Sequence, residues 1–168
     1  MNANAPPLHQ GVLEALCVAG PRLITGGRDQ VVNVLDSSSL SVVFSFSLAD
    51  FGSLNGQARA IDLDPSGKSM IIGTFGCEIY QVPVEGKGLS ATEKPKALVQ
   101  GHHAPKLKDT NEVWGLCAIP GTDQFISVSD DATLRVWSAS TRELVSVQDL
   151  NRHHDGRPLP LDATTKEL

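Results

Sequence analysis

Short apolar stretches of strand length alternate with turn residues along most of the chain, and a helical spacing of about 3.6 residues is hard to find beyond a few turns. The pattern predicts strands over 12–18, 23–25, 31–35 and 41–48, then 58–63, 69–73, 78–82 and 97–99, then 113–119, 125–129, 133–137 and 144–147. Turn chemistry separates them, as in Asp64-Pro65-Ser66-Gly67 and Pro120-Gly121-Thr122-Asp123. The β-branched residues suit pleated surfaces buried between neighbouring sheets.

The twelve stretches fall into three groups of four with one shared rhythm. Arg22-Leu-Ile-Thr-Gly-Gly-Arg-Asp29 followed by Gln30-Val-Val-Asn-Val-Leu35 aligns without a gap on Gln124-Phe-Ile-Ser-Val-Ser-Asp-Asp131 followed by Ala132-Thr-Leu-Arg-Val-Trp137. Between them, Met70-Ile-Ile-Gly-Thr-Phe-Gly76 and Cys77-Glu-Ile-Tyr-Gln-Val82 repeat the rhythm with Gly76 at the aspartate position. The recurrence is roughly 50 residues, a little above the roughly 40–45 of a propeller blade of the WD type. Four strands per repeat predict one antiparallel blade each, over about 9–50, 58–100 and 101–150. A leader over 1–8 and a tail over 151–168 carry no repeat and are expected to be flexible. The fold class expected is therefore all-β: a partial propeller of about three four-stranded antiparallel blades. Three blades are fewer than the usual four to eight, so this chain alone does not close a ring. The remaining blades would come from a longer chain or from self-association.

Composition narrows the function. The chain has 168 residues, 40% hydrophobic and 20% charged, with 15 Gly and 10 Pro, which fits a folded domain rather than a low-complexity one. A formal net charge of −5 gives little electrostatic support to nucleic-acid binding or to an anionic membrane surface. No apolar run approaches the roughly 20 residues of a membrane-spanning helix, and residues 1–10 lack the marks of a secretory signal, so a cytoplasmic location is expected. Without a signal, the C-terminal Lys166-Glu167-Leu168 is no retention address. Cys17, Cys77 and Cys117 are scattered and lack CxxC spacing, so they are expected as small buried apolar residues, neither paired nor holding zinc. No cofactor is expected.

The third repeat carries the most specific motif: Gly101-His102 ahead of its first strand, Ser127, Asp131, and Trp137-Ser138 at the end of its third strand. It resembles a WD repeat. That resemblance implies a buried tetrad in which Asp131 accepts from His102, His102 meets Ser127 and Ser127 meets the Trp137 indole. The first repeat has His9, Thr25 and Asp29 at the matching places, with Leu35 for the Trp; the second has Ile72, Gly76 and Val82 and no tetrad. A narrower resemblance lies in Ile71-Ile-Gly-Thr-Phe-Gly-Cys-Glu-Ile-Tyr-Gln-Val82, Gly101-His102 and Val113-Trp-Gly-Leu-Cys117, which are similar to propellers of the echinoderm microtubule-associated protein-like family. That family's HELP motif is not visible in this sequence. The resemblance implies a non-catalytic protein-interaction scaffold associated with microtubules and the cytoskeleton, the cilium or axoneme included. Tubulin or other cytoskeletal proteins would be its partners. A WD-repeat adaptor in another assembly, such as trafficking or ubiquitin ligation, is the alternative.

Several residues invite sharper chemistry. Ser127, His102 and Asp131 have the composition of a hydrolase triad, but no G-x-S-x-G elbow surrounds Ser127 and the tetrad accounts for all three. His102-His103 and His153-His154 offer imidazoles without a cysteine or carboxylate at ligand spacing, so no metal site is expected. Gly26-Gly27 and Gly86-Lys87-Gly88 do not follow the phosphate-loop pattern and are expected to serve turns. Two features point to docking. Lys87, Lys94, Lys96, Lys106 and Lys108 cluster around the last strand of the second repeat, and Trp114 opens an inner strand, where an exposed aromatic would anchor a partner.

Overall fold

A computed structural model describes residues 7–53, 55–64, 68–85, 90–91, 96–99, 101–102 and 112–150. Three antiparallel sheets follow one another along the chain. Blade 1 is β1 (Leu13–Ala19), β2 (Arg22–Gly27), β3 (Val31–Asp36) and β4 (Val42–Ser47). Blade 2 is β5 (Ala58–Leu63), β6 (Ser69–Thr74), β7 (Ile79–Glu85) and β9 (Lys96–Val99), with the two-residue β8 (Ser90–Ala91) pairing the far end of β7. Blade 3 is β10 (Val113–Ala118), β11 (Gln124–Ser129), β12 (Thr133–Ser138) and β13 (Leu144–Asp149). No described helix is long and apolar enough to cross a membrane.

Two differences from the sequence expectation have local causes. Leu48 leaves the fourth strand of blade 1 and begins a 3-10 turn, Leu48–Phe51, because the Ser47 hydroxyl accepts from the Ala49 N–H and Gly52 closes the turn at φ 84°. The third strand of blade 2 runs on to Glu85, where Val84 and Glu85 pair with Ala91 and Ser90.

The blades are joined by apolar faces. Ala15, Ile24, Val32 and Val34 of blade 1 pack on Ala58, Ile61, Met70, Ile72, Tyr80 and Val82 of blade 2. On its other face blade 2 offers Ile71 and Ile79, with Leu98 and Val99, to Val113, Phe125 and Trp137 of blade 3. Branched aliphatic side chains make up most of the first joint, and Phe125 and Trp137 join them in the second. The far face of blade 3 is open: Gly115, Leu116, Cys117, Ile126 and Val128 line an apolar groove of about 160 Å³.

That open face corrects the expectation for the cysteines. Cys77 is buried, Cys17 is partly covered, and Cys117 is exposed, because its strand faces no further blade among the described residues. All three thiols are free.

The repeat is also written in the backbone. Each turn between the second and third strand places one non-glycine residue in the left-handed region: Gln30 at φ 64°, Cys77 at φ 71° and Ala132 at φ 56°.

Candidate protein-interaction site

In blade 3 the strands bring His102, Ser127, Asp131 and Trp137 together. The Trp137 indole N–H donates to Ser127 Oγ at 2.7 Å, His102 Nε2 lies 2.6 Å from the same hydroxyl, and His102 Nδ1 lies 2.9 Å from Asp131 Oδ2. One proton arrangement satisfies every partner: indole to serine, serine to Nε2, and Nδ1–H to the carboxylate. Asp131 also accepts from the Thr133 hydroxyl at 2.7 Å and from Arg135 at 3.0 Å. Burial pushes its carboxyl up, but the hydrogen bonds from Thr133 and His102 outweigh it and hold the group below the usual carboxylate range. Burial lowers the His102 imidazole in spite of Asp131 beside it, so the neutral ring is favoured. Ser127 is 0% exposed. Gly101 is small for a reason, since a Cβ there would run into the Trp137 ring.

Blade 1 builds a shorter version. His9 Nδ1 lies 3.0 Å from Asp29 and His9 Nε2 lies 2.9 Å from the Thr25 hydroxyl. Where blade 3 has an indole, Leu35 packs instead, and the Asn33 amide donates to the Leu8 carbonyl at 2.7 Å. In blade 2 the turn is held differently, by the Thr74 hydroxyl donating to the Glu78 carboxylate at 2.5 Å.

The end of the blades that carries these turns also carries a feature that the residue pattern conceals. Each inner strand has a bulge at the same register, between Leu13 and Ala15, between Ala58 and Ala60, and between Val113 and Gly115. A bulge re-aims the extra side chain. The three extra residues are Glu14, Arg59 and Trp114.

Arg59 is the centre of this rim. Its guanidinium contacts Glu14 of blade 1, and its Nε lies 2.5 Å from Glu112 at the entry to blade 3. Neither contact is a well-directed hydrogen bond, so Arg59 gains charge neutralisation more than directional bonding. It also lies over the rings of Phe75 and Trp114, 5.1 Å from each centroid. Glu14 accepts in turn from Arg28 at 2.7 Å. Burial pushes the Glu112 carboxyl up, against the pull of Arg59.

Trp114 is 53% exposed. Its indole N–H donates to Asp130 Oδ1 at 2.6 Å, and Asp130 Oδ2 accepts from the Glu112 backbone N–H at 3.1 Å. Glu14, Arg59 and Trp114, together with Leu16, Ile61 and Leu116, line a cavity of about 210 Å³ where the three inner strands meet. Deeper along these strands Asp62 links the blades, accepting from the Ala118 N–H at 2.8 Å and from the Cys17 thiol at 3.6 Å.

Of the five lysines singled out in the sequence, Lys96 is exposed at the start of β9; Lys87, Lys94, Lys106 and Lys108 lie outside the described residues, as do His103, His153 and His154. Gly26 and Gly27 belong to β2 rather than to a turn. A Cβ at Gly26 would strike Ala58 and Ile61, so that glycine allows blades 1 and 2 to approach closely. Glu14, Arg59, Glu112 and Asp130 were not singled out. The signal was a charged residue inside an apolar strand, Arg59 between Ala58 and Ala60, aligned with Glu14 and Trp114.

No family model matches the chain. Echinoderm microtubule-associated protein-like 2 from Rattus norvegicus is 31% identical over 94% of this chain, and its Mus musculus counterpart is 30% identical over the same share. The chain spans 23% of the length of each. Among solved structures, the WD40 repeats of RRP9 superpose with a TM-score of 0.62 at 18% identity, over 83% of this chain and 39% of that one. The fold and the sequence agree: the chain is a three-blade stretch of WD-repeat β-propeller, similar to the echinoderm microtubule-associated protein-like proteins.

Proposed function

We propose that the chain is a non-catalytic docking scaffold of the cytoskeleton, associated with microtubules, and that its rim of bulged residues meets the partner. The observation that carries this reading is the rim itself: three successive blades turn Glu14, Arg59 and Trp114 towards one cavity while a large aromatic is left half in solvent. The hydrolase alternative lacks support, because Ser127 is fully buried and already takes the Trp137 indole N–H, which leaves no room for a substrate carbonyl. Likeness to proteins named as microtubule-associated supplies the partner class. The exposed Lys96 is a second candidate contact in this reading, a cation suited to the acidic surface of a microtubule, and Lys87, Lys94, Lys106 and Lys108 are further candidates by sequence alone. Blades outside this chain, or a second copy, cover the open face of blade 3.

Co-sedimentation with microtubules, beside size-exclusion chromatography with light scattering, tests the reading. A monodisperse species that pellets with microtubules, and pellets less as salt is raised, is the expected result. A monodisperse species that stays in the supernatant would make the chain a scaffold for a different assembly.

A further inference from the structure

We propose that the cavity beside Trp114 is a side-chain pocket for a cation: an arginine or lysine presented by an extended segment of the docked protein. This deepens the scaffold reading and rests on it.

The argument begins with charge. Arg59 is the described cation that lines the cavity and is committed to Glu14 and Glu112, and Arg28, outside the lining, is committed to Glu14. Two cations against two carboxylates leave this network neutral. Asp130 then stands in excess, held beside the pocket by two N–H donors, the Trp114 indole and the Glu112 backbone. Both donors are uncharged, so its negative charge is hydrogen-bonded but not cancelled.

The aromatic supplies the second part. Arg59 lies over one face of Trp114, and the indole is still 53% exposed. Its outward face presents the negative centre of a ring quadrupole, which attracts guanidinium and ammonium groups. The carboxylate of Asp130 lies at the ring edge, 2.6 Å from Nε1. A cation stacked on Trp114 therefore meets both the ring and a counter-charge.

Shape supplies the third. The cavity of about 210 Å³ has Leu16, Ile61 and Leu116 along its walls, apolar surface against which the methylene stem of a long basic side chain can lie. An acidic side chain fits none of this: it would meet Glu14 in the cavity wall and Asp130 at the edge of Trp114, and Arg59 is buried and already paired twice.

The two tryptophans make the test direct. Trp114 is exposed at the cavity and Trp137 is buried in blade 3, so two indole N–H resonances report the site and an internal control. The 15N-labelled chain is titrated with the blocked peptide Gly-Ser-Gly-Arg-Gly-Ser-Gly, and separately with the same peptide carrying Glu for Arg. Saturable movement of the Trp114 signal with the Arg peptide alone, with Trp137 unmoved, is the expected result. Asp130→Asn, which keeps an oxygen for the indole N–H but loses the charge, should bind the Arg peptide about tenfold more weakly; an unchanged Trp137 signal certifies that the variant is folded. Equal response to both peptides, no response to either, or full affinity in folded Asp130→Asn would overturn the proposal. Microtubule pelleting is a separate readout: peptide selectivity without pelleting keeps the pocket and changes the partner, while pelleting without selectivity keeps the scaffold and removes the pocket.

Discussion

Asp131 shows how much one buried carboxylate organises. It accepts from His102, Thr133 and Arg135, and through His102 and Ser127 it orients the Trp137 indole. Asp131→Ala should cost about 1–3 kcal/mol of stability, read by chemical denaturation, because it leaves buried donors unpaired. Asp29→Ala should cost less, since the matching cluster in blade 1 has no indole and no arginine on its carboxylate. Acid acts on the same residues in a definite order. His102 has a lowered pKa in the fold, so its contribution is complete above the ordinary value of 6.5 and falls as the pH drops through it, while the unfolded chain takes up a proton and the native chain resists. Asp131, also lowered, contributes above 3.8 and loses that contribution as the pH falls below it. Denaturation midpoints recorded from pH 8 to pH 3 should therefore fall in two stages, and His102→Gln should remove the upper one.

At the scale of the element, the turn between the second and third strand is the most uniform feature of the three blades, and it is occupied each time by a residue that dislikes the left-handed region. Ala132→Gly should relieve that conformation and raise stability by up to about 1 kcal/mol, measured as a shift in the urea midpoint. The strands themselves were legible in the sequence because apolar runs and turn residues alternate so regularly, and the aligned segments ending at Asp29 and Asp131 disclosed the blades. The bulges were not legible. A bulge is set by a mismatch between two paired strands, which no single strand displays, so nothing in the sequence pattern marks Glu14 and Arg59 as bulged, and Trp114 alone stands out as an aromatic. Charge pairing across blades was hidden for the same reason: Glu14, Arg59 and Glu112 are far apart in sequence and meet only when three inner strands lie side by side.

For the whole molecule, Arg59 is the electrostatic tie among the blades. Removing its guanidinium strands the buried Glu112 carboxylate and leaves Glu14 with Arg28 alone, so Arg59→Ala should destabilise by about 3–5 kcal/mol. In Arg59→Ala/Glu14→Gln/Glu112→Gln, where no carboxylate is stranded, most of that loss should return, with thermal unfolding as the measurement. The distribution of thiols has a further consequence. Each blade holds one free cysteine: Cys17 in the first, Cys77 in the second, Cys117 in the third. Burial pushes Cys17 and Cys77 each up to about 11, whereas Cys117 stands in solvent. A thiol reagent applied to the native chain should mark Cys117 at once, Cys17 slowly because its thiol is partly covered and its thiolate disfavoured, and Cys77 only when its blade opens. Cys77 thus serves as a clock for the middle of the stack, and its rate of labelling set against that of global unfolding would tell whether blade 2 opens alone or only when the whole stack comes apart.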